Sequence, residues 1–400
     1  MITSSTPLFA WLATAAAAMV MAMLAAPAAE AFVPTTTTTT TTTKAALSPA
    51  LRYAYTDRRF SSRVSSRMST EGDDLKGTVA VVTGSSRGIG KGIAVTLGQR
   101  GCTVYVTGRS GGGTMTEQEL GGTLEETAAA IDAAGGTGIP VICDHADDAQ
   151  VKALFERVES EQGKLDVLVN NAFTLGPGDQ LKTKFWKQGA NAWDPLMTVG
   201  LRSHYMASCF AAPLMIKSAK NRGGKPGLIA CVSSFGGLAY TFNVAYGVGK
   251  AAVDRLVKDM AVELEEEQVA VVSLYPGIVV TEKMDNLMKK SPAEFEEKTG
   301  IAMASPMETP FFTGRAVAAL AADPGIMKKT GKVHVVAELA KEYSFQDVDG
   351  GRPPSIRSLR FLLPTYLFPK VLPKGVEVST DSVPDWLLPM EIMRGGKPPS

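Results

Sequence analysis

Short apolar runs alternate with segments of helical composition from residue 77 onward. Most of these runs are nearly continuous Val, Ile and Leu, a pattern typical of strands that are covered on both faces. The predicted strands are residues 78–82, 103–107, 138–142, 166–170, 227–233, 270–275 and 332–336. Helical composition is clear over residues 124–134, 149–161 and 251–267. The alternation predicts an α/β fold, a single domain on a Rossmann-type doubly wound parallel sheet of about seven strands.

The amino-terminal part of the chain has a different pattern. Residues 7–27 carry no charge, and Ala29-Glu30-Ala31 places small residues where a signal peptidase reads them. We therefore predict a signal peptide at residues 1–31. The alternative is an uncleaved membrane anchor, because the apolar run is nearly long enough to span a bilayer.

Residues 32–70 begin with Phe32 and are rich in Ser, Thr and Arg but poor in acids. This composition is typical of a transit peptide and offers few apolar positions for packing. A signal peptide followed by such a segment resembles the two-part presequence of proteins imported into complex plastids, so a plastid location is expected. The alternatives are a disordered linker and a location in the endoplasmic reticulum or its membrane.

Two later regions interrupt the alternation of strands and helices. Residues 282–310, rich in Met, Lys and Glu, are predicted to be irregular. Residues 343–400 form a Pro-interrupted extension with an apolar patch at residues 359–372. We predict the folded domain at residues 71–342 and the extension at residues 343–400. The patch either packs on the domain or a subunit partner, or it shapes substrate choice or membrane contact.

Composition adds few constraints. With 45% hydrophobic residues and a net charge of +1, the 400-residue chain fits a globular protein and gives no sign of a nucleic-acid partner. The cysteines lack metal-ligand spacing and are predicted to be free buried thiols in a reducing compartment: Cys102, Cys143, Cys209 and Cys231. The three histidines are scattered, so no metal site is predicted.

A glycine-rich turn, Thr83-Gly84-Ser85-Ser86-Arg87-Gly88-Ile89-Gly90, follows the first predicted strand and opens a helix. In that setting backbone N–H groups face a cofactor pyrophosphate. The residues predicted to contact the cofactor here are Gly84, Ser86, Arg87, Gly88, Ile89 and Gly90.

The identity of the dinucleotide follows from charge. An NAD site places a carboxylate at the end of the second strand, but here that strand ends Thr107-Gly108-Arg109. Arg87 adds a second guanidinium, and arginines suit a ribose 2′-phosphate. NADP(H) is therefore the predicted cofactor; the alternative is that both are ordinary surface arginines.

The candidate catalytic pair is Tyr246 and Lys250, four residues apart and thus on one helix face. An ammonium close to a phenol lowers the phenol pKa, which suits Tyr246 to give a proton to an alkoxide near neutral pH. Ser234 is predicted to hydrogen-bond the substrate oxygen, with Ser233 as the alternative. A tyrosine that merely packs against the sheet is the other interpretation of Tyr246.

The glycine spacing, Asn170-Asn171-Ala172, Ser233-Ser234, Tyr246 with Lys250, and Pro276-Gly277 together resemble the short-chain dehydrogenase/reductase superfamily. Residues 165–172, 199–205, 242–250 and 308–315 are similar to the group called dehydrogenase/reductase SDR family member 1, a resemblance that covers about residues 75–364. The further cofactor contacts that the resemblance implies are Asp144 with the adenine, Asn171 near the adenosine ribose, and Ile278 with Thr281 at the nicotinamide carboxamide. It also implies cofactor contacts for Pro276, Gly277, Tyr246 and Lys250.

The resemblance implies an NADPH-dependent carbonyl reductase that acts on a hydrophobic small-molecule carbonyl substrate. We expect a homo-oligomer, and the animal members imply peripheral membrane contact. A plastid 3-oxoacyl-carrier-protein reductase and a non-catalytic NADP-binding regulator are the alternatives.

Two residues depart from the superfamily pattern. Phe173 stands where most relatives have Gly and is expected to narrow the adenosine side of the cleft. Gly200 stands where the superfamily has a fourth catalytic residue, an Asn, so the proton relay must differ and Gly200→Asn should keep or raise activity.

Overall fold

The computed structural model describes residues 75–109, 121–174, 183–371, 383–391 and 393, all within the compact unit Arg52–Ser400. The predicted signal peptide and transit-peptide-like segment, residues 1–70, lie outside these residues and remain predictions. The proposed division into a domain at residues 71–342 and an extension at residues 343–400 also remains a prediction.

Seven strands form one parallel sheet, as the apolar pattern predicts, in the order β3-β2-β1-β4-β5-β6-β9. They are β1 Val79–Val82, β2 Thr103–Gly108, β3 Thr137–Ile142, β4 Val167–Asn170, β5 Gly227–Val232, β6 Val269–Tyr275 and β9 Val333–Val335. Each end lies within one residue of its predicted position. Two short strands missing from the prediction, β7 Ile278–Val279 and β8 Met307–Glu308, pair with each other in parallel.

Helices cover both faces of this sheet. They are α1 Gly88–Gln99, α2 Leu124–Ala133, α3 Asp148–Gln162, α4 Ala190–Met197, α5 Ser203–Asn221, α6 Val244–Leu264, α7 Glu282–Lys290, α8 Pro292–Thr299, α9 Pro310–Ala322, α10 Val336–Glu342, α11 Leu359–Leu362 and α12 Phe368–Val371. Short 3₁₀ turns occur at Phe185–Lys187, Phe235–Gly237 and Ile326–Lys329, and π-helical turns at Thr198–Arg202 and Leu363–Leu367.

The strand side chains alternate between two cores. Ala80 and Val82 pack on the face covered by α1, α2 and α9, whereas Val79 and Val81 pack on the face covered by α3, α5 and α6. Because a strand directs successive side chains to opposite faces, a strand covered on both sides must be apolar throughout. The edge strand β3 is only partly covered, and Ile142 at its end is exposed.

Helix α6 contains Tyr246 and Lys250, as their spacing predicts, and begins at Val244, before the segment of clear helical composition at residues 251–267. The Asn243 side chain caps it by accepting a hydrogen bond from the Tyr246 amide. The prediction for residues 282–310 needs correction. Residues 282–310 contain α7, α8 and β8 rather than irregular chain. Ser291 caps α8, and Met288 and Phe295 are buried in a small core beside Val280.

The carboxy-terminal extension packs on the domain where it is described. Ile356 and Phe361 are buried in the core on the α1 and α9 side of the sheet. Arg357 forms a two-point ion pair with Glu338 of α10, with N–O distances of 2.8 and 2.7 Å. For residues 359–371 the contacts therefore favour packing on the domain over an exposed apolar patch.

The cysteine prediction is correct for three of the four residues. Cys102, Cys143 and Cys231 are buried free thiols, but Cys209 is exposed on α5, on the side of that helix turned away from the sheet. Within the described ranges, no cluster of His, Cys, Asp or Glu has the makings of a metal site. No helix of the described part of the chain combines the length and apolarity that crossing a membrane requires.

Candidate active site

The glycine turn lies where β1 ends and α1 begins, and its close packing leaves no room for a side chain at Gly84 or Gly90. Gly84 has a φ of +63°, and a Cβ there would lie 2.8 Å from the Cα of Ala172. Gly88 also has a positive φ, +57°. A Cβ on Gly90 would lie 2.3 Å from the Gly84 carbonyl oxygen. The turn therefore requires glycine at these positions and exposes the N-terminus of α1 to a ligand.

Asn171 fastens this turn to the end of β4. Its side-chain amide donates to the carbonyl oxygens of Thr83 and Gly84, both at 2.9 Å. The Asn171 backbone N–H donates to the Thr83 hydroxyl at 2.9 Å. The amide nitrogen of Asn171 is thus engaged within the protein, so its predicted contact with the ribose remains a prediction.

Glu282 is a part of this turn that no sequence motif marks. Its Oε2 accepts a hydrogen bond of 2.8 Å from the Gly88 backbone N–H, although the two residues are 194 positions apart. Thr281 also lies next to Gly88, because a Cβ on Gly88 would lie 3.5 Å from Thr281 Cγ2. A carboxylate oxygen therefore occupies the place at the helix N-terminus where a cofactor phosphate oxygen is expected. The Gly88 N–H can therefore bind an anion, which fits a dinucleotide pyrophosphate.

The residues predicted to hold the adenosine end lie along neighbouring strand ends. Arg87 is the N-cap residue of α1, and Arg109 follows β2 and is exposed. Asp144 follows β3, next to Cys143, whose N–H donates to the Gly108 carbonyl at 2.9 Å. A Cβ on Gly108 would lie 3.8 Å from Ser86 Oγ, so the second strand and the glycine turn meet here. Ile89 is partly buried and packs against the core, and its predicted cofactor contact remains a prediction.

The candidate catalytic residues meet at the ends of β5 and α6. Ser234 Oγ and Tyr246 OH are 2.7 Å apart. The alternative serine, Ser233, instead donates to the backbone carbonyl of Lys250 at 3.3 Å. The geometry therefore favours Ser234 over Ser233 as the partner of the phenol. A tyrosine that only packs against the sheet would not need this hydroxyl contact.

Lys250 is buried one helical turn after Tyr246. Its Nζ donates to the Val232 carbonyl at 2.9 Å and lies 4.6 Å from the centre of the Phe173 ring. Burial lowers the Lys250 pKa to about 8, and the negative charge of Asp254 works against that decrease. Asp254 is half-buried and accepts hydrogen bonds from Ser273 and Tyr275. No motif in the sequence marks this carboxylate, although it lies one turn after Lys250.

The protein alone raises the Tyr246 pKa, contrary to the expectation that Lys250 lowers it. Burial is the main cause, and the hydrogen bond from Ser234 partly offsets it. The Lys250 ammonium donates to the Val232 carbonyl and lies over the Phe173 ring, and its charge does not offset the effect of burial on the Tyr246 pKa. Lowering the phenol pKa must then involve a further positive charge, such as the ring of an oxidised nicotinamide.

Phe173 lies at the catalytic end of the cleft rather than on its adenosine side. Its ring meets Tyr246 edge to face, with centroids 5.8 Å apart. A second ring, Phe242, packs against the other part of Tyr246 at 4.9 Å. A Cβ on Gly200 would lie 3.2 Å from the Phe173 ring, so the ring would have to shift by a few tenths of an ångström to admit a side chain there, and the predicted effect of Gly200→Asn remains a prediction.

The predicted nicotinamide loop contains Pro276, Gly277 and Ile278, and it rests on a buried carboxyl group. Glu308 Oε2 would lie 2.8 Å from a Cβ on Gly277, and the Glu308 carbonyl accepts from the Val280 N–H at 2.9 Å. Burial and the charge of Asp347 raise the Glu308 pKa to about 8. Asp347 belongs to the extension and accepts from the Thr309 N–H at 2.8 Å.

Comparisons with known proteins agree with this geometry. The family model described as short chain dehydrogenase matches residues 78–292. Dehydrogenase/reductase SDR family member 1 of Mus musculus is 45% identical over 72% of this chain and 89% of its own length. The Homo sapiens protein of the same name is 44% identical over 69% of this chain and 85% of its own length.

Two solved structures are similar in fold. A short-chain type dehydrogenase/reductase from Mycobacterium marinum is 27% identical, with a TM-score of 0.52, and covers 66% of this chain and 94% of its own. The Pseudomonas aeruginosa RhlG/NADP active-site complex is 26% identical, with a TM-score of 0.54, and covers 66% of this chain and 97% of its own. The fold, the glycine turn and the matched family model show that the chain belongs to the short-chain dehydrogenase/reductase family of oxidoreductases.

Proposed function

We propose that this protein is an NADPH-dependent carbonyl reductase in which Tyr246 is the general acid. The observation that carries the proposal is the 2.7 Å contact between Ser234 Oγ and Tyr246 OH, one helical turn from the buried ammonium of Lys250. A phenol held by a serine hydroxyl is placed to hydrogen-bond the same substrate oxygen from a second side.

The protein groups act in a definite order on a ketone or aldehyde. Ser234 and Tyr246 both donate to the carbonyl oxygen, and their hydrogen bonds strengthen as negative charge grows there. NADPH, when bound, supplies the hydride to the carbonyl carbon. Tyr246 then delivers its proton to the oxygen, and Lys250 stabilises the negative charge left on the phenol.

The proposed cofactor preference depends on two arginines and on the structure of the glycine turn. Arg109 directly follows β2, where the sequence has no carboxylate to bind a ribose 2′-hydroxyl, and Arg87 lies in the glycine turn. Guanidinium groups bind a 2′-phosphate through paired hydrogen bonds. The structurally similar RhlG was solved as a complex with NADP, which is consistent with this assignment.

The proposed substrate is hydrophobic because aromatic rings surround the phenol. Phe173 and Phe242 both pack edge to face against Tyr246, so a carbonyl that reaches the hydroxyl meets apolar surfaces. Apolar walls with a few convergent polar groups are typical of small-molecule sites. A charged carrier-protein thioester has less reason to enter, which disfavours the 3-oxoacyl-carrier-protein reductase alternative.

The direct test is turnover of a panel of hydrophobic aldehydes and ketones and of 3-oxoacyl thioesters with NADPH and with NADH. Reduction of apolar carbonyls with NADPH is the expected result. Turnover of thioesters alone supports the carrier-protein alternative. Tight NADPH binding with no turnover of any class supports the non-catalytic regulator and contradicts the proposal.

We also propose delivery to a plastid, because residues 1–31 have the pattern of a signal peptide and residues 32–70 that of a transit peptide beginning at Phe32. Residues 1–70 fused to a fluorescent protein should carry it to the plastid, and Phe32→Ala should stop that delivery. Retention in the endoplasmic reticulum would contradict the proposal. The expected homo-oligomer and peripheral membrane contact can be checked by sedimentation and by flotation with liposomes.

A further inference from the structure

We propose that Phe173 is a positioning residue that holds the Lys250 ammonium in place for catalysis, and that the absence of a side chain at Gly200 is what admits its ring. The two residues then form one unit, and a change at either disturbs the catalytic lysine. The inference deepens the proposed function and rests on it for the role of Lys250.

The backbone just before Phe173 is fixed from two sides. The Ala172 N–H donates to the Thr83 hydroxyl at 3.0 Å, and the Ala172 carbonyl contacts His204 Nε2 at 3.1 Å. Burial lowers the His204 pKa to about 3, so its imidazole is neutral. Because a carbonyl can only accept, Nε2 carries the proton and donates it. The backbone that leads into Phe173 is therefore held in place just after β4, by contacts that do not involve the Phe173 ring.

The Phe173 ring contacts both candidate catalytic side chains. Its centre is 4.6 Å from Lys250 Nζ and its edge faces Tyr246, with the two rings 82° apart in orientation. A cation over an aromatic face is attracted to it, and the attraction is stronger where water is excluded. Lys250 is buried, so the ring replaces part of the hydration that the ammonium has lost.

Other charged and titratable groups also act on the lysine and must be separated from the ring. Asp254 on the same helix favours the ammonium, as does the Cys231 thiol on β5. His204 on α5 also interacts with Lys250, but it stays neutral. Tyr246 titrates nearby on α6. None of these groups changes when Phe173 is replaced by another neutral residue, so the ring can be tested by itself.

Gly200 provides the space for this arrangement. It lies in the π-helical turn Thr198–Arg202, directly before α5. A Cβ there would come within 3.2 Å of Cδ2 and 3.5 Å of Cε2 of Phe173, so the ring would have to shift. Glycine is unfavourable within a helix, and π-helical turns are frequent at functional sites. His204 lies in α5, which follows this turn directly. One continuous helical segment therefore holds the backbone before Phe173 and leaves space for its ring.

The first experiment measures the Lys250 pKa directly, without relying on turnover. The full chain is labelled with carbon-13 in its lysine side chains, the Lys250 signal is assigned with Lys250→Met, and it is followed by NMR through a pH titration. Phe173→Leu should lower the Lys250 pKa by about one unit, because it removes the aromatic face but keeps the bulk. Phe173→Tyr should restore it.

Phe242→Leu is the matched control. Phe242 also packs edge-on against Tyr246, but among the described aromatic rings it is Phe173 that lies over the lysine nitrogen. The control should leave the Lys250 pKa unchanged. An unchanged Lys250 pKa in Phe173→Leu, or an equal decrease in Phe242→Leu, would overturn the proposal.

The second experiment tests the coupling between the two positions by a double-mutant cycle on the same titration. Gly200→Ala should displace the ring and lower the Lys250 pKa when Phe173 is present, and should have little further effect in Phe173→Leu. Additive effects would show two independent sites. If the cycle is coupled but the wild-type chain reduces no carbonyl, the positioning unit stands and only the proposed function fails.

Discussion

Glu308→Gln should stabilise this protein in alkaline solution, because it removes a buried carboxyl group that resists ionisation. Glu308 is buried behind the Gly277 backbone, and its Oε1 has no hydrogen-bond partner among the described residues. Burial, followed by repulsion from Asp347, raises its pKa from 4.5 to about 8. Glutamine has nearly the same shape and keeps an oxygen for Gly277, but it carries no charge at any pH.

The sign of the effect follows from the proton count in each state. A carboxyl whose pKa is raised in the folded protein binds a proton there while the unfolded chain has already lost it, so wild-type stability falls as pH rises through this window. The window extends from about 4.5, the ordinary value, to about 8 in the folded protein. Below it the wild type and Glu308→Gln should differ least, and above it the difference should be constant.

The magnitude can be bounded from the same values. Each pKa unit corresponds to about 1.4 kcal/mol, so a rise from 4.5 to about 8 sets a ceiling of about 5 kcal/mol in the free energy of unfolding. Relaxation around an ionised group reduces this, and we expect a gain of at least about 2 kcal/mol near pH 9. For a domain of this size that is a rise of at least about 3 °C in Tm.

The assay is thermal and urea unfolding of the full chain at several values between about pH 5 and about pH 9. Glu297→Gln is the matched control for the chemical change, because Glu297 is an exposed carboxylate on α8. A stability difference between the wild type and Glu308→Gln that is the same at every pH would refute the reasoning. Lower stability of Glu308→Gln near pH 9 would refute it more strongly.

Three further predictions concern ligands of the cleft. Arg109→Asp should weaken NADPH binding at least about tenfold more than NADH binding, because it removes a phosphate partner and adds a repelling charge; equal weakening, measured by fluorescence titration, would contradict the NADP(H) assignment. Glu282→Gln should tighten NADPH binding about fivefold, since the Glu282 carboxylate and a cofactor phosphate need the same Gly88 N–H; weaker binding would show that the carboxylate helps to hold the cofactor. Lys250→Met should lower both NADPH affinity and turnover, because the charge that supports the Tyr246 phenolate is lost; unchanged turnover would remove Lys250 from the mechanism.

The sheet could be predicted because strands that are buried on both faces need apolar residues at nearly every position, and such runs are visible in the sequence. A strand such as β6, Val269–Tyr275, is buried at every position and must be apolar at nearly every position. The strands β7 and β8 have two residues each, too few to form any pattern. The spacing of Tyr246 and Lys250 predicts a helix around them, but the first residue of α6 could not be predicted from periodicity because it depends on one capping contact from Asn243.

The residues of the candidate site likewise fall into those that short sequence motifs predict and those that they do not. Gly84, Ser234, Tyr246 and Lys250 lie in short motifs whose spacing follows from the chemistry, and the structure brings Ser234 and Tyr246 into contact. What escaped prediction are contacts between distant segments. Glu282 reaches Gly88 across the cleft, and Phe173 meets residues of α6 although it follows β4. No local pattern marks such pairs, because only the packed fold determines which residues become neighbours.

The central claim, that Tyr246 delivers the proton to the substrate oxygen, is tested most directly by Tyr246→Phe. This change removes the hydroxyl that contacts Ser234 and leaves the ring that packs against Phe173 and Phe242. We predict that NADPH affinity stays within about twofold of the wild type while single-turnover reduction of a hydrophobic ketone falls at least about 100-fold. An enzyme whose rate of reduction is unchanged without the hydroxyl would contradict the account.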